Sequence, residues 1–224
     1  MDITKAILTN NPCYKAGKTM TVKGLMLHSV GCSQPSAMVF VKSWNTSSKT
    51  ICVHGFIDGN TGGVYQTLPW NYKVGHCGGT LNNTHIGIEM CEPDRIKYTS
   101  GSKFTCSDTT KAKAIVERTY KSAVELFAYL CKEYDLNPLA DGVILSHSEG
   151  YARGQASNHG DPEHLWKGLK LPYTMDGFRQ DVKSAMNPTI YRVQVGAFRN
   201  EQNAKNLLAE IKKAGFDGFI TKGI

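Results

Sequence analysis

The sequence predicts an α/β fold in which a central mixed β-sheet is flanked by helices, with a small C-terminal β-α-β appendage. Two observations predict the main fold. Short apolar runs alternate with longer amphipathic stretches, as expected of strands that alternate with helices, and a cluster rich in Gly, Asn and Asp at residues 58–63 predicts a hairpin between two strands. A third observation predicts the appendage, because the pattern stops at Asn187-Pro188 and then restarts.

The first half of the chain predicts a short N-terminal helix and loop, then four strands and a second helix. The alternation of Ile86, Ile88 and Met90 with small or polar residues indicates that one of these strands is buried. The N-terminal helix and loop cover residues 1–20, the second helix covers residues 36–45, and the strands cover residues 23–28, 50–57, 64–68 and 85–91.

The second half predicts two long helices with a strand between them. Residues 109–134 carry apolar side chains at a spacing of three and four, which gives a helix one apolar face. Asp108 precedes this helix and is its predicted N-cap. A strand is predicted at 142–146 and a helix at 174–186, which the Pro188 turn ends.

The appendage restarts with an alternating stretch at 191–195, continues with an amphipathic helix at 201–214, and closes with a possible strand at 216–220. Such a unit is too small to build a robust core of its own. The sequence therefore predicts two domains, residues 1–187 and residues 189–224.

The composition is that of a folded soluble protein, with 41% hydrophobic and 20% charged residues. No segment approaches the ~20 consecutive apolar residues of a membrane span, and the N-terminus lacks the basic-then-apolar layout of a secretory signal. Cytoplasmic synthesis is therefore expected. The seven cysteines are scattered and form no CxxC pair, which predicts free thiols in a reducing compartment.

The chain has a net charge of +7, and nucleic acid is the first partner that such a charge suggests. However, the basic residues never form a run longer than Lys212-Lys213. A diffuse positive field suits any polyanion, including an anionic bacterial wall, and speeds encounter with it.

Two histidines directly follow short apolar runs, His28 after residues 25–27 and His147 after residues 143–146. Such runs are typical of buried strands that end at a polar site. Two imidazoles and one carboxylate from separate strand ends supply what an open catalytic zinc site needs, namely three protein ligands with water in the fourth position.

Four pieces of the sequence, in this order, resemble the zinc-dependent N-acetylmuramoyl-L-alanine amidases of the peptidoglycan-recognition and phage-lysozyme type. The resemblance covers roughly residues 20 to 170. It is carried by residues 25–29, by residues 53–58 with 63–69, by residues 76–79 with 83–89, and by residues 145–147 with Asp161.

The resemblance implies one zinc ion per catalytic domain, bound by His28, His147 and Asp161. Glu149 and Glu163 are the alternatives for the third ligand. The resemblance also implies two catalytic residues. Glu89 is the expected base that takes a proton from water and passes it to the leaving amine, and His159, where relatives commonly carry a lysine, is expected to stabilise the oxyanion.

Four further side chains are candidates for contact with the substrate: His54, Tyr65, Trp70 and His76. The histidines of this set are either structural or substrate-facing. The aromatic residues belong either to the core or to the wall of a cleft, where an aromatic ring can stack on a sugar.

The tail resembles half of a SPOR module, through residues 191–198, 203–204 and 212–216. SPOR modules bind the glycan strands of peptidoglycan, so the resemblance implies targeting to the wall. A half-module can pair with a second copy, be a degraded remnant, or be a solubilising tail that has no ligand.

The sequence therefore predicts an enzyme that hydrolyses the bond between N-acetylmuramic acid and L-alanine in peptidoglycan, without nucleic acid or membrane as partner. A phage or prophage endolysin that a holin releases is favoured over a secreted autolysin. Three alternatives remain: a non-catalytic peptidoglycan-binding protein on the same fold, a metal-dependent nuclease, and a wall peptidase with a cysteine nucleophile.

Overall fold

One mixed sheet of six strands organises the part of the chain that the computed structural model describes, which is residues 2–187 and 193–222. Its strands are β1 (Ile3–Lys5), β2 (Gly24–Ser29), β3 (Gly55–Ile57), β4 (Val64–Gln66), β5 (His85–Met90) and β8 (Ile144–Ser146), and a separate hairpin contains β6 (Ile96–Ser100) and β7 (Lys103–Cys106). The spatial order of the six is β1-β4-β3-β5-β2-β8. Only β3 and β4 are antiparallel neighbours, and the other pairs are parallel. The predicted mixed sheet and its hairpin are confirmed.

Helices lie on both faces of this sheet. They are α1 (Pro12–Ala16), α2 (Ala37–Trp44), α3 (Thr109–Glu133), α4 (His147–Ala152), α5 (Glu163–Gly168) and α6 (Met175–Met186), with a short 3-10 turn at Thr80–Asn83. Asp108 caps α3, as predicted, by accepting a hydrogen bond from the backbone N–H of Lys111. None of the helices within the described ranges combines the length and the apolar character that a membrane span needs.

The alternation of side chains along β2 separates the main core from the opposite face of the sheet. Leu25 and Leu27 point into the largest apolar cluster, together with α3 and α6, whereas Met26 belongs to a cluster on the other face. Each fully buried Leu side chain contributes about 1.5–3 kcal/mol. His28 continues the Met26 row, so it points away from the main core. On that same face Phe40 of α2 stacks on Phe56 of β3, with ring centroids 5.1 Å apart.

The structure departs from the local sequence pattern at three places. Residues 1–20 begin with the edge strand β1 rather than a helix, and the strand predicted at 50–57 is confined to β3. The hairpin β6–β7 was not predicted. The bounds of β1 and β3 depend on parallel pairing with the distant strands β4 and β5, which overrides a weak local pattern, whereas β6 and β7 pair with each other.

The prediction that all cysteines are free thiols is wrong for two of the seven, because Cys13 and Cys52 form a disulfide. They are 39 residues apart in the sequence, and no spacing rule pairs cysteines at such a distance. The other five remain free thiols.

The chain divides into two compact units, residues 1–188 and residues 189–224. The second unit contains α7 (Glu201–Lys213), which begins where the Asn200 side chain accepts a hydrogen bond from Gln202 N–H. The predicted helix is therefore present, but residues 216–220 form no strand. The strand predicted at 191–195 lies partly outside the described residues, and its described part, 193–195, is not a strand. No residue of α7 is buried, which is consistent with the small size of the unit.

Candidate active site

Three parallel strands deliver functional side chains to one edge of the sheet. In the register of β2 and β5, His28 lies directly opposite Glu89, so both side chains stand on the same face. On the other side of β2 the chain leaves β8 and enters α4, whose first residue is His147. A capping box fixes this entry, because Ser146 Oγ accepts Glu149 N–H while the Glu149 side chain accepts Ser146 N–H.

Asp161 reaches the same place from the loop that precedes α5. Its Oδ2 accepts a hydrogen bond from the backbone N–H of Ser29, 3.2 Å away at the end of β2. Its backbone carbonyl accepts a hydrogen bond from Ser148 N–H at 3.3 Å. These two bonds hold the carboxylate between the ends of the strands that carry the two histidines.

His28, His147 and Asp161 form a buried cluster of potential metal donors, with side-chain donor atoms that all lie within 4.8 Å of one another. The Nδ1 atoms of His28 and His147 are 3.1 Å apart. Asp161 Oδ2 lies 3.3 Å from His28 Nδ1, and Asp161 Oδ1 lies 3.5 Å from His147 Nδ1. A tetrahedron around zinc with bonds of about 2.0–2.1 Å has edges of about 3.3 Å. The donor set and its spacing therefore fit zinc.

The charge states of these groups also suit a cation. Burial and the neighbouring His28 imidazole lower the pKa of His147 to about 4, which keeps a lone pair available at neutral pH. Burial opposes the ionisation of Asp161, but the proximity of the His28 and His147 imidazoles brings its pKa below the ordinary value. Two neutral imidazoles and one carboxylate leave a bound divalent ion with a net positive charge.

Glu89 carries a polar atom without a partner at this site. Its Oε2 is buried and has no hydrogen-bond partner among the residues the structure describes. Burial, together with the negative charges of Asp161 and Glu92, raises its pKa well above the ordinary value. An unpartnered carboxyl group with high proton affinity beside a metal donor set is suited to move protons.

His159 lies at the exposed side of the cluster. Its ring packs on the ring of His147, with centroids 4.4 Å apart and an angle of 37° between the planes. Its Nδ1 is 3.1 Å from Ser157 Oγ. The structure thus brings this predicted residue next to a metal donor while leaving it accessible to solvent.

The His54 side chain is fully buried in the structure. Its Nε2 lies 2.7 Å from the backbone oxygen of Tyr72, and its Nδ1 accepts the N–H of Gly87 at 3.0 Å. Both ring nitrogens are therefore engaged by backbone, and neither is available to a substrate. His54 supports the strands beneath the site.

His76 is also engaged within the protein. Its Nδ1 lies 2.9 Å from His28 Nε2, and its Nε2 lies 3.1 Å from the backbone oxygen of His85. Tyr65 and Trp70 are partly exposed and pack against the two larger apolar clusters, so each retains some surface for contact with a ligand.

The two alternatives to Asp161 have other partners. Glu149 binds Arg179 through both carboxylate oxygens, at 2.8 and 2.9 Å. Glu163 Oε1 accepts a hydrogen bond from Ser146 Oγ. Neither belongs to the donor cluster, so Asp161 is the third donor that the geometry favours.

Ser157 was not among the site residues predicted from the sequence. Its Oγ lies 3.2 Å from His147 Nε2 and donates a hydrogen bond to the backbone oxygen of Cys77 at 3.0 Å. A serine in an irregular loop belongs to no periodic pattern. The only local signal is its position two residues before His159.

Comparison with known protein families identifies two matches along the chain. The profile of the family described as N-acetylmuramoyl-L-alanine amidase (Amidase_2) matches residues 18–164. The profile described as SPOR domain matches residues 187–223. None of the curated protein sequences compared with the chain matches it.

Solved structures similar to this chain share its fold. The hydrolase AmiA of Staphylococcus aureus, in complex with its ligand, aligns with a TM-score of 0.63 at 16% identity, over 83% of each chain. The PlyG catalytic domain aligns with a TM-score of 0.58 at 18% identity, over 86% of this chain and 100% of its own. A mutant endolysin from Bacillus subtilis aligns with a TM-score of 0.51 at 19% identity, over 81% and 99% of the two chains.

Proposed function

Because this chain belongs to the N-acetylmuramoyl-L-alanine amidase family, whose profile matches well over half of its 224 residues, we propose that zinc bound by His28, His147 and Asp161 is the centre of its catalysis. The enzyme hydrolyses the amide bond between N-acetylmuramic acid and L-alanine in bacterial peptidoglycan. The observation that carries the proposed centre is the buried donor triad, whose closest atoms are 3.1 to 3.5 Å apart.

The three donors also fit the chemistry that an amide requires. Zinc in such a site acts as a Lewis acid that polarises a carbonyl group and makes water more acidic. Three protein donors leave the fourth position of a tetrahedron open. The Ser29 N–H holds Asp161 Oδ2 in the direction of the cluster, so this ligand is oriented before any ion binds.

Glu89 is the proposed general base and acid. It stands on the same sheet face as His28 and directly opposite it, with one buried oxygen that has no partner in the described part of the chain. It takes the proton of the attacking water and then passes it to the nitrogen of the leaving L-alanine. Its raised pKa favours retention of the proton between these two steps.

His159 is the proposed oxyanion donor. Its exposed ring packs on His147, which places it beside the proposed metal centre. Ser157 Oγ occupies its Nδ1 side, so the Nε2 side faces outward. In the imidazolium form both ring nitrogens carry a proton, so Nδ1 donates to Ser157 while the N–H at Nε2 donates to the oxygen that becomes negative when water adds to the carbonyl.

The match to the SPOR profile at residues 187–223 supports peptidoglycan as the ligand of the second unit as well. We propose that this unit holds the enzyme on the wall, either alone or paired with a second copy. The similarity of the chain to an endolysin structure supports action at the wall after release, through a holin if the gene is phage-encoded.

The decisive experiment is digestion of purified peptidoglycan, followed by identification of new chain ends. We expect new N-terminal L-alanine, lost after treatment with a zinc chelator and restored by added Zn²⁺. New D-amino termini point to a peptidase, and binding without new termini identifies a non-catalytic binder. Cleavage that persists after complete removal of zinc contradicts the proposed metal centre.

A further inference from the structure

We propose that His76 and Ser157 are positioning residues, which hold His28 and His147 in the tautomer whose Nδ1 lone pair faces the metal. Each acts on the ring nitrogen that points away from the donor cluster. The inference rests on the metal centre proposed above. It assigns a role to two residues that do not belong to the donor cluster but contact the outer nitrogens of its histidines.

The tautomer of His28 follows from a chain of hydrogen bonds that starts at a backbone carbonyl. The oxygen of His85 can only accept, so His76 Nε2, 3.1 Å away, carries a proton. His76 faces no anion on either ring nitrogen, and a neutral imidazole carries one proton, so its Nδ1 accepts. His28 Nε2, 2.9 Å from that atom, must then donate. The lone pair of His28 is left on Nδ1, which is the atom that faces His147 and Asp161.

The fold provides a dedicated position for the His76 ring. Gly87 lies beneath it in β5, and a Cβ atom at this position would come within 2.6 Å of the imidazole. The backbone N–H of His76 is held by Asn82 Oδ1 at 2.9 Å. The His76 ring is therefore held in one position, between the backbone of β5 and the ring of His28.

The tautomer of His147 follows in the same way from a second carbonyl. Ser157 has one hydroxyl proton, which it donates to the backbone oxygen of Cys77 at 3.0 Å. Ser157 Oγ can then only accept at its other contacts. His147 Nε2, 3.2 Å away, therefore donates to it, and the lone pair of His147 is left on Nδ1.

One hydroxyl thereby orients two functional rings. Ser157 Oγ also lies 3.1 Å from His159 Nδ1, and by the same reasoning it accepts the N–H of that ring. Metal-bound histidines generally donate their second N–H to a protein acceptor, and loss of such an acceptor costs about 10- to 100-fold in metal affinity. An imidazole and a hydroxyl fill that position here.

The first test reads the tautomers directly in the zinc-free wild-type protein. Long-range ¹H–¹⁵N spectra of the side chains, recorded at a pH where the imidazoles are neutral, distinguish the two forms. We expect the Nε2–H form for both His28 and His147. The Nδ1–H form at either residue overturns the proposal for that ligand.

The second test measures zinc affinity by competition with a chromogenic chelator. We expect His76→Leu and Ser157→Ala to weaken binding by about 10- to 100-fold. His76→Gln and Ser157→Thr should restore most of the loss, because glutamine supplies an acceptor beside a donor and threonine keeps the hydroxyl. If His76 acts only through packing, His76→Leu retains the wild-type zinc affinity, and His76→Gln binds zinc no more tightly than His76→Leu does.

A matched control is His85→Leu, which removes a buried imidazole near the sheet edge but keeps the backbone oxygen that accepts from His76. The His85 ring contacts Gly142 O and Thr84 Oγ1 but none of the zinc ligands. We expect it to lower the melting temperature while leaving zinc affinity within about twofold. If the wild type binds no zinc, the proposed centre fails, and the tautomer spectra still decide this inference.

Discussion

Burial sets the protonation states of the residues around the donor cluster in opposite directions. It lowers the pKa of His147 to about 4, so that the imidazole is neutral and able to bind a metal. It raises the pKa of Glu89, and the charges of Asp161 and Glu92 add to that effect. One environment thus produces a neutral ligand and a carboxyl group with high proton affinity.

The role of Glu89 as proton carrier predicts a large loss of rate in Glu89→Gln. Glutamine has nearly the same shape but cannot take a proton from water. We expect kcat to fall by about 10²- to 10⁴-fold, measured as release of N-terminal L-alanine from peptidoglycan. Zinc content should stay at one ion per chain, because Glu89 is not one of the three donors. A variant that retains the wild-type rate excludes Glu89 as the base.

The role of His159 predicts that His159→Ala lowers kcat by about 10²- to 10³-fold, as the removal of an oxyanion donor does. His159→Lys should restore much of this loss, because an ammonium group also donates to an anion. The melting temperature should change little, since the side chain is exposed. Equal rates for the alanine and lysine variants would indicate that His159 only lines the cleft.

At the scale of elements, a buried polar network connects the β6–β7 hairpin to α5, directly beside the loop of Asp161. Tyr98 of β6 donates to Glu92 Oε2 at 2.7 Å, and its hydroxyl lies 2.6 Å from His164 Nε2. Glu92 Oε1 accepts the N–H of Gly31 at 3.0 Å. The network thereby connects the ends of β2 and β5 with the helix that follows Asp161.

The buried Glu92 predicts a pH-dependent contribution to stability. Burial raises its pKa from an ordinary 4.5 to about 7, despite hydrogen bonds that lower it. The folded protein therefore retains a proton that the unfolded chain releases, so the contribution is complete below pH 4.5 and is lost as the pH rises through 7. In Glu92→Gln, we expect the unfolding free energy relative to the wild type to increase between pH 5 and pH 8, by about 1–3 kcal/mol.

Denaturant titrations of both proteins across that pH range measure this difference. Glu163, whose pKa is also raised to about 7 by burial, is present in both proteins, so its contribution cancels. A difference between the two proteins that is independent of pH would mean that Glu92 is ionised in the folded state throughout.

The elements that could be predicted from sequence are those with strong local patterns. The helix α3 shows its apolar periodicity and its Asp108 cap, and β2 and β5 show apolar runs that end at His28 and Glu89. The site residues on these elements were identified because a strand end fixes where a side chain points.

What could not be predicted depends on contacts between distant segments. β1 has three residues and is defined by its pairing with β4, and the Cys13–Cys52 disulfide joins segments that share no local signal. The roles of His76 and Ser157 depend on which ring nitrogen each one faces. Such a distance of about 3 Å arises only from the folded loops.

At the scale of the whole molecule, the chain consists of two units with different amounts of core. All the proposed catalytic and metal-binding residues lie within residues 1–188, and the SPOR match covers residues 187–223. Residues 189–224 contain six basic and three acidic residues, so this short unit carries +3 of the net charge of +7. Positive charge and exposed apolar side chains such as Phe216 and Phe219 are concentrated in this second unit, none of whose described residues, 193–222, is buried.

This division predicts that a chain ending at Asn187 separates chemistry from retention on the wall. Cleavage of a small soluble muramoyl peptide should stay within about twofold of the full chain, because the zinc ligands and Glu89 are all present. Binding to intact wall sacculi, measured by co-sedimentation, should weaken by on the order of tenfold or more, as expected when one of two linked binding units is lost.

Added salt should reduce this difference between the two chains if charge dominates retention, since a Debye length of about 8 Å at 0.15 M salt shortens to about 3 Å at 1 M. A difference that persists at high salt would instead indicate specific glycan binding, and equal sedimentation of both chains at every salt concentration would contradict a targeting role for the second unit.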